Sequence, residues 1–262
     1  MCEYNFKWAV AMTGQFENKR RYLCSIPILL LLLCGRGGIA MQEHGRGASG
    51  NLIAQVSDFD NHDEPLIPTL LRIAAEYDLP MGIERVVKEG LERPVRVKLR
   101  RGTVADLLDL CIRQVPGYMW AVHGNVVHVY GDEEWRQPSN MLNLTLPSFE
   151  IHDETLGEAD RRLRIKLLLQ KGRLGGIAGV HGVTLELEQK RLRLEVQNVT
   201  VRDILNHLTV LHGGVIWIAR VSPERLSEIP QRGLWLFLPR SFFRQRSFRS
   251  VEYLRQLIEI PP

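Results

Sequence analysis

Apolar and polar positions form strand-like and helix-like patterns that occur in the same order twice along the chain. In residues 95–100, Val95, Val97 and Leu99 alternate with basic residues, which predicts a strand with one buried face. Next comes an amphipathic helix that begins after Thr103, where Asp106 stands at the capping-box position. Its predicted core stripe consists of Val104, Leu107, Leu108, Cys111 and Val115.

The stretch Thr103–Trp120 recurs as Thr200–Trp217 at an offset of 97 residues, without a gap. The alternating strand upstream is repeated at the same offset in residues 192–196. Identical residues stand at the pairs Thr103/Thr200, Val104/Val201, Asp106/Asp203, Leu108/Leu205, Gly117/Gly214 and Trp120/Trp217. An internal repeat of this kind indicates two copies of one structural unit.

The first copy is predicted to run strand, helix, strand, strand, helix and hairpin. Asp63 is expected to cap its first helix, with Glu64 and Pro65 in the first turn. The predicted elements are a strand at Ser57–Asp60, a helix to about Tyr77, strands at Met81–Val87 and Val95–Arg100, the Thr103 helix, and hairpin arms at Tyr118–Val122 and Val126–Tyr130.

The second copy begins near Phe149, where the sequence from Phe149 to Leu156 matches that from Phe59 to Leu66. It differs by a Gly-rich insertion at residues 171–182 and by a long loop in its final hairpin. The predicted elements are a helix at Leu156–Leu169, strands at Val183–Leu187 and Arg191–Val196, the Thr200 helix, and hairpin arms at Val215–Ala219 and Leu234–Leu238.

These patterns predict an α+β fold of two tandem βαββαβ-like modules, each a small sheet packed with two helices. The expected organisation is a signal peptide at 1–40, a flexible linker at 41–55, a first module at 56–131, a linker at 132–147, a second module at 148–238 and a basic, aromatic C-terminal tail at 239–262.

The N-terminal residues have the composition of an export signal. Lys19-Arg20-Arg21 precedes the apolar run Leu23–Leu33, and Gly38-Ile39-Ala40 offers a small-x-small cleavage site. Met12 is an alternative start. Cys34 resembles a lipid-attachment cysteine, but the bulky Leu33 before it disfavours lipidation. We therefore expect a periplasmic protein.

The charge of the chain does not favour a nucleic-acid partner. The formal charge of +4 comes from 34 basic and 30 acidic residues, and residues 1–40 hold five of the basic and two of the acidic ones. The remainder has 29 basic and 28 acidic residues, a net of +1. Beyond the leader the only cysteine is Cys111, so no intramolecular disulfide is expected there.

These features together resemble the short N-terminal domain of secretins and TonB-dependent receptors. The resemblance is carried by the Phe59–Leu66 and Phe149–Leu156 segments, the alternating Val/Leu strand, the Thr-Val-x-Asp-x-Leu helix start and the Gly-aromatic hairpin. It implies a non-enzymatic periplasmic protein that docks other proteins or stacks into rings. The chain departs from the family in its Gly-rich insertion and long hairpin loop. After Gly233 no run of alternating strands long enough for a secretin pore or receptor barrel follows.

Residues with catalytic or ligating chemistry are scarce. The triplet His-Asp-Glu at 62–64 and again at 152–154 is a candidate metal or acid–base site, but helix capping with favourable dipole charge is the preferred interpretation. The Gly-rich insertion has neither a phosphate-binding loop nor a dinucleotide fingerprint. No catalytic, cofactor-binding or metal-binding residue is assigned, and we expect no enzyme.

The expected function is protein interaction. Candidate interaction residues are Arg96, Lys98, Arg100, Trp120, Trp217, Phe242, Phe243 and Arg244. The expected partner is an envelope protein of a secretion, pilus or receptor-signalling system, such as a secretin or outer-membrane receptor. The tail is expected to pack on the second module, or to contact a partner or lipid headgroups. One alternative is a protein that binds a small molecule or glycan; another is an enzyme using His62, His152 or the Gly-rich loop.

Overall fold

The computed structural model describes residues 48–86, 94–170, 189–221 and 235–244, which form an α+β fold. The predicted α+β class is confirmed. Outside the described residues lie the predicted signal peptide, the Gly-rich insertion, the strand at Val183–Leu187, the loop at 222–234 and the tail beyond residue 244.

The first half of the chain contains the predicted order of elements. All five residues of the stripe predicted after Thr103 are buried, although the helix ends at Ile112, before Val115, and Val95 and Val97 are buried in the alternating strand. The elements are α1 (Ala48–Leu52), β1 (Gln55–Pro65), α2 (Leu66–Glu76), β2 (Met81–Val86), β3 (Pro94–Thr103), α3 (Val104–Ile112), β4 (Tyr118–His123) and β5 (Val126–Gly131).

The second half repeats this order in the part of it that the structure describes. Val201, Ile204, Leu205 and Leu208 are buried on the helix after Thr200, as predicted. The elements are α4 (Asp132–Trp135), a 3-10 turn (Met141–Asn143), β6 (Thr145–Glu154), α5 (Leu156–Gln170), β7 (Leu192–Thr200), α6 (Val201–His212), β8 (Val215–Val221), β9 (Trp235–Pro239) and α7 (Ser241–Arg244).

The two halves share one sheet. β1 pairs antiparallel with β3, and β6 pairs antiparallel with β7, each as a two-stranded ribbon. The remaining strands form a five-stranded sheet in the order β4-β5-β2-β8-β9. Its centre is the parallel pair of β2, from the first half, and β8, from the second.

A hydrophobic core covers each face of the shared sheet. Because successive side chains of a strand point to opposite faces, Ile216 and Ile218 of β8 join the core of the first half, with α2 and α3. Trp217 and Ala219 join the core of the second half, with α5 and α6. The first half therefore completes its core with residues from β8 and β9 of the second half.

Two segments predicted as linkers contain regular structure. In residues 41–55, α1 buries Ala48 and Leu52 against the first core. In residues 132–147, α4 and the 3-10 turn bury Leu142, and β6 begins at Thr145. Both segments carry apolar side chains whose burial offsets the entropy cost of ordering them.

The His-Asp-Glu triplets do not cap helices. Asp63 has φ of 59° and Asp153 has φ of 54°, and each lies at a register shift where its strand bulges from its partner. β1 stays paired with β3 as far as Pro65, so α2 begins at Leu66 without a side-chain cap. Asp tolerates the left-handed conformation that the bulge requires. The prediction of Asp63 as an N-cap was wrong.

Candidate protein-interaction site

Trp120 of β4 and Trp217 of β8 occupy equivalent positions and are anchored in the same way. The indole Nε1 of Trp120 donates to Asp109 Oδ1 at 2.8 Å, and that of Trp217 donates to Asn206 Oδ1 at 3.0 Å. Asp109 and Asn206 are themselves related by the repeat offset and lie on α3 and α6. Each indole is thus held against the helix of its own half.

The surroundings of the two tryptophans differ because, among the described strands, only β8 has a second neighbour. β8 lies between β2 and β9, and Trp217 faces Gly82 across the parallel pair. A Cβ atom added to Gly82 would lie 2.3 Å from Trp217 Cε2. Trp217 is 0% exposed, so the structure places this predicted interaction residue in the core and corrects that assignment.

β4 is the end strand of the five-stranded sheet within the described part of the chain. Met119 and Val122 of β4 are 45% and 38% exposed, whereas their repeat counterparts Ile216 and Ala219 are 0% and 1% exposed. Trp120 is half-buried. Ile216 and Ala219 lie beside β2 in the shared sheet, whereas no described strand lies beside the equivalent positions on the open side of β4.

The hairpin of β4 and β5 determines which backbone groups face this open edge. Its two turn residues, Gly124 and Asn125, have φ of 54° and 69°, as in the tight turns that match strand twist. His123 and Val126, which flank the turn, form a hydrogen-bonded pair. From there, pairs without and with mutual hydrogen bonds alternate along the hairpin. The amide N–H of Val127 donates to the carbonyl of Pro80 at 2.9 Å, so this group points away from β4. The backbone N–H and C=O groups of Trp120 and Val122 therefore point to the open edge.

The predicted basic face of β3 exists, but acidic side chains of β1 lie beside it. Arg96 Nε lies 2.9 Å from Asp63 Oδ1, and Lys98 Nζ lies 3.3 Å from Asp60 Oδ2. Arg100 is exposed on the same face. Solvent-exposed pairs of this kind contribute little to stability, but they reduce the net positive charge that the strand offers to an acidic partner.

The described start of the C-terminal tail contacts both halves: the Arg240 amide donates to a carbonyl of the second half, and α7 packs on the first half. Phe243 packs against the first core, and Phe242 is half-buried. Arg244 Nε donates to the carbonyl of Ala75 at 3.1 Å, and Arg244 also forms an ion pair with Asp78. Phe243 and Arg244 thus make contacts within the chain, and the tail beyond residue 244, on which the rest of this prediction depends, lies outside the described residues.

A buried polar network crosses between the halves, and sequence reasoning missed it. Arg202 of α6 bonds to Glu84 of β2 at 2.6 Å and stacks 3.8 Å above the Trp135 ring. Asn140 donates to the same carboxylate at 3.2 Å. The sequence signal was the charged dipeptide Glu84-Arg85 within an otherwise apolar strand.

His128 of β5 extends the network. Its Nε2 lies 2.8 Å from Asn206 Oδ1, which also accepts from Trp217. Burial lowers the pKa of His128 to about 3; the hydrogen bond to Asn206 opposes this shift, and the nearby charges of His123 and Arg202 add smaller lowering effects. The imidazole is therefore neutral near pH 7 and acts there as a hydrogen-bond partner.

The repeated triplets form surface ion pairs. Asp63 pairs with Arg96, Glu154 pairs with Arg162 at 2.6 Å, and His152 Nδ1 lies 3.6 Å from Glu195 Oε1. Among the described side chains, no cluster of three or more His, Cys, Asp or Glu residues is arranged to hold a metal ion. Burial raises the pKa of the Cys111 thiol to about 12, which suppresses its nucleophilic thiolate form.

Within the described ranges, none of the helices is both long enough and apolar enough to cross a bilayer. Comparisons with protein-family models, with curated proteins and with solved structures found no match to this chain.

Proposed function

We propose that the chain is a non-enzymatic protein-interaction component of the cell envelope, and that it binds its partner through the open edge of β4. The observation that carries this proposal is the contrast between equivalent strands. β8 buries its edge against β2, whereas β4 leaves the same apolar positions exposed and its outward backbone groups unpaired in the described sheet.

Strand addition is the binding mode that suits this edge. An extended segment that docks on a sheet edge gains main-chain hydrogen bonds and places alternate side chains against the sheet. Soluble proteins usually protect such edges with charge, proline or a covering element. β4 instead presents Met119 and Val122, together with a half-buried Trp120.

The cellular setting follows from the leader and the family resemblance. A basic, apolar and cleavable leader directs the chain to the periplasm. Two copies resembling the N-terminal domain of secretins and TonB-dependent receptors fit a docking partner in a secretion, pilus or receptor-signalling system. A secretin or an outer-membrane receptor system is the expected assembly.

The test uses two substitutions at Val122 in the tagged full chain expressed in cells. Val122→Pro removes an outward N–H and leaves the β4–β5 hydrogen bonds intact, because Val122 and Val127 form a pair without mutual hydrogen bonds. Val122→Thr keeps the N–H and the branched shape, so it serves as the matched control.

We expect the wild-type chain and Val122→Thr to retain a specific envelope protein under mild extraction, and Val122→Pro to lose it. A photo-reactive residue at position 119 should cross-link to that same protein. Equal recovery of the partner by Val122→Pro, with an unchanged melting temperature, would contradict the proposal.

A further inference from the structure

We infer that the β4 edge takes a parallel strand from another protein, with a glycine facing Trp120 and apolar residues on either side of that glycine. This inference rests on the proposed function. The inference specifies which residue types the strand that binds β4 must carry.

The pairing of β2 with β8 shows how this kind of edge is occupied. The strands run parallel in the register Met81↔Ile216, Gly82↔Trp217 and Ile83↔Ile218. Both adjoining β2 residues, Met81 and Ile83, are fully buried. By the repeat offset, the positions equivalent to Ile216, Trp217 and Ile218 are Met119, Trp120 and Ala121.

The glycine requirement comes from the orientation of the indole. Trp217 lies so close to Gly82 that an added Cβ would be 2.3 Å from two of its ring carbons. Trp120 is anchored to Asp109 as Trp217 is to Asn206. The space beside Trp120 at the open edge therefore corresponds to the space that Gly82 fills, and a side chain at that position would displace the ring.

One position of the incoming strand is expected to differ from β2. Glu84, two residues after Gly82, is bound by Arg202 of α6. The repeat counterpart of Arg202 is Ala105 on α3, which offers no cation. A buried carboxylate without a partner is costly. The incoming segment should therefore carry an apolar residue two positions after its glycine.

The donor is a different protein rather than the β2 strand of a second copy. β2 already pairs with β5 on one edge and with β8 on the other, so neither edge is free to bind another molecule. Releasing it would break the sheet that joins the two halves.

The experiment titrates the full chain with a synthetic peptide of residues Leu79–Val86 carrying Glu84→Val. A second peptide carries Gly82→Val in addition. Binding is followed by the NMR signals of the Trp120 indole N–H and of the Trp120 and Val122 amides. Peptide concentrations reach the millimolar range, which detects even weak binding.

We expect saturable shifts of these β4 signals with the glycine peptide, at least tenfold weaker binding of the Gly82→Val peptide, and loss of binding in the Val122→Pro chain. Equal binding of both peptides, binding retained by Val122→Pro, or no β4 shifts at all would each overturn the inference. Self-association that Val122→Pro abolishes, measured by sedimentation, would assign the edge to a second copy instead and would also overturn it.

The two proposals can fail separately. If Val122→Pro loses its envelope partner but neither peptide binds, the docking function stands and the glycine-strand inference fails. If Val122→Pro keeps its partner, the docking function itself fails.

Discussion

Threonine side chains cap three helices through local contacts that the sequence encodes. The Oγ1 of Thr103 accepts from the Asp106 amide at 3.2 Å, and the Asp106 carboxylate accepts from the Thr103 amide at 2.8 Å. Thr155 and Glu158 form the same reciprocal pair on α5. Thr200 accepts from the Asp203 amide on α6. Each contact satisfies helix N–H groups that have no partner within the helix.

Replacing Thr103 by Ala is expected to lower the free energy of unfolding by about 1 kcal/mol, because the Asp106 amide loses its acceptor. The pKa of Asp106, which is lowered first by the Thr103 backbone N–H and then by the Thr103 hydroxyl, should rise. Urea unfolding and NMR titration measure the two effects. Thr103→Ser keeps the hydroxyl and should change neither; a loss of equal size in Thr103→Ser would rule out the capping explanation.

Acidification should destabilise the chain through His128. Its pKa in the folded protein is about 3, below the ordinary value of 6.5 that applies when the chain unfolds. Above pH 6.5 both states are neutral and the full stability is present. As the pH falls toward 3, only the unfolded state takes up the proton, so stability is lost.

The expected loss attributable to His128 is about 1.4 kcal/mol per pH unit in that window. His128→Gln keeps an N–H donor for Asn206 but does not titrate, so its unfolding free energy should depend less steeply on pH. Urea unfolding of both proteins at pH 7, 6 and 5 measures the difference. Parallel pH profiles for the two proteins would exclude His128 as the titrating group.

At the scale of elements, the close contact of β2 with β8 depends on a glycine. Gly82 lies opposite Trp217, and its missing side chain leaves room for the indole. The same β2 segment provides Met81 and Ile83 to the opposite face of the sheet. A six-residue strand thereby contacts both cores.

Gly82→Ala is expected to cost about 1–3 kcal/mol, because the new methyl group overlaps a buried ring. The same substitution in a Trp217→Leu background should cost much less, since the clashing atoms are gone. A double-mutant cycle by urea unfolding measures this coupling. Gly214→Ala is the matched control, because an added Cβ there has no neighbour closer than 3.5 Å. Additive effects of the two substitutions would contradict the assigned contact.

At the scale of the whole molecule, the two halves are held together by the shared sheet and by a buried ion pair. Glu84 and Arg202 are 118 residues apart in the sequence, and both are almost fully buried. Taking two charges out of water is costly, so such a pair is sensitive to the loss of either member. It also links α6 to β2 directly.

Arg202→Met is expected to lower the unfolding free energy by about 3–5 kcal/mol, because Glu84 would remain buried without its cation. Replacing both residues, with Glu84→Leu and Arg202→Met, should restore most of the loss. Arg162→Met breaks a pair with Glu154 in which the arginine is 55% exposed, so it should cost much less, about 1 kcal/mol. Denaturant unfolding of the four proteins provides the test, and a double variant less stable than Arg202→Met would refute it.

Much of the local structure was predictable from the sequence. The alternation around Val97 predicted β3, the periodicity after Thr103 and Thr200 predicted α3 and α6 with their buried stripes, and the turn at Gly124-Asn125 predicted the β4–β5 hairpin. These features depend on contacts between residues close in the chain, where period, capping and turn chemistry act directly.

The candidate site was only partly predictable. Trp120 was identified as an interaction residue, but so was Trp217, because the two stand at the same place in the repeat. Met119 and Val122 were not identified. Their exposure depends on whether another strand covers them, and the sequence pattern of one strand does not contain that information.

The sequence by itself determined the α+β class, showed one pattern of elements twice, and predicted most of the helices and strands that the structure describes. Only the tertiary structure decided that β8 of the second copy pairs with β2 of the first, which buries Trp217, places Glu84 against Arg202 and leaves β4 at the open edge. The physical reason is that strand pairing between distant segments depends on the fit of whole surfaces, here the fit of an indole over a glycine, rather than on the pattern within either segment.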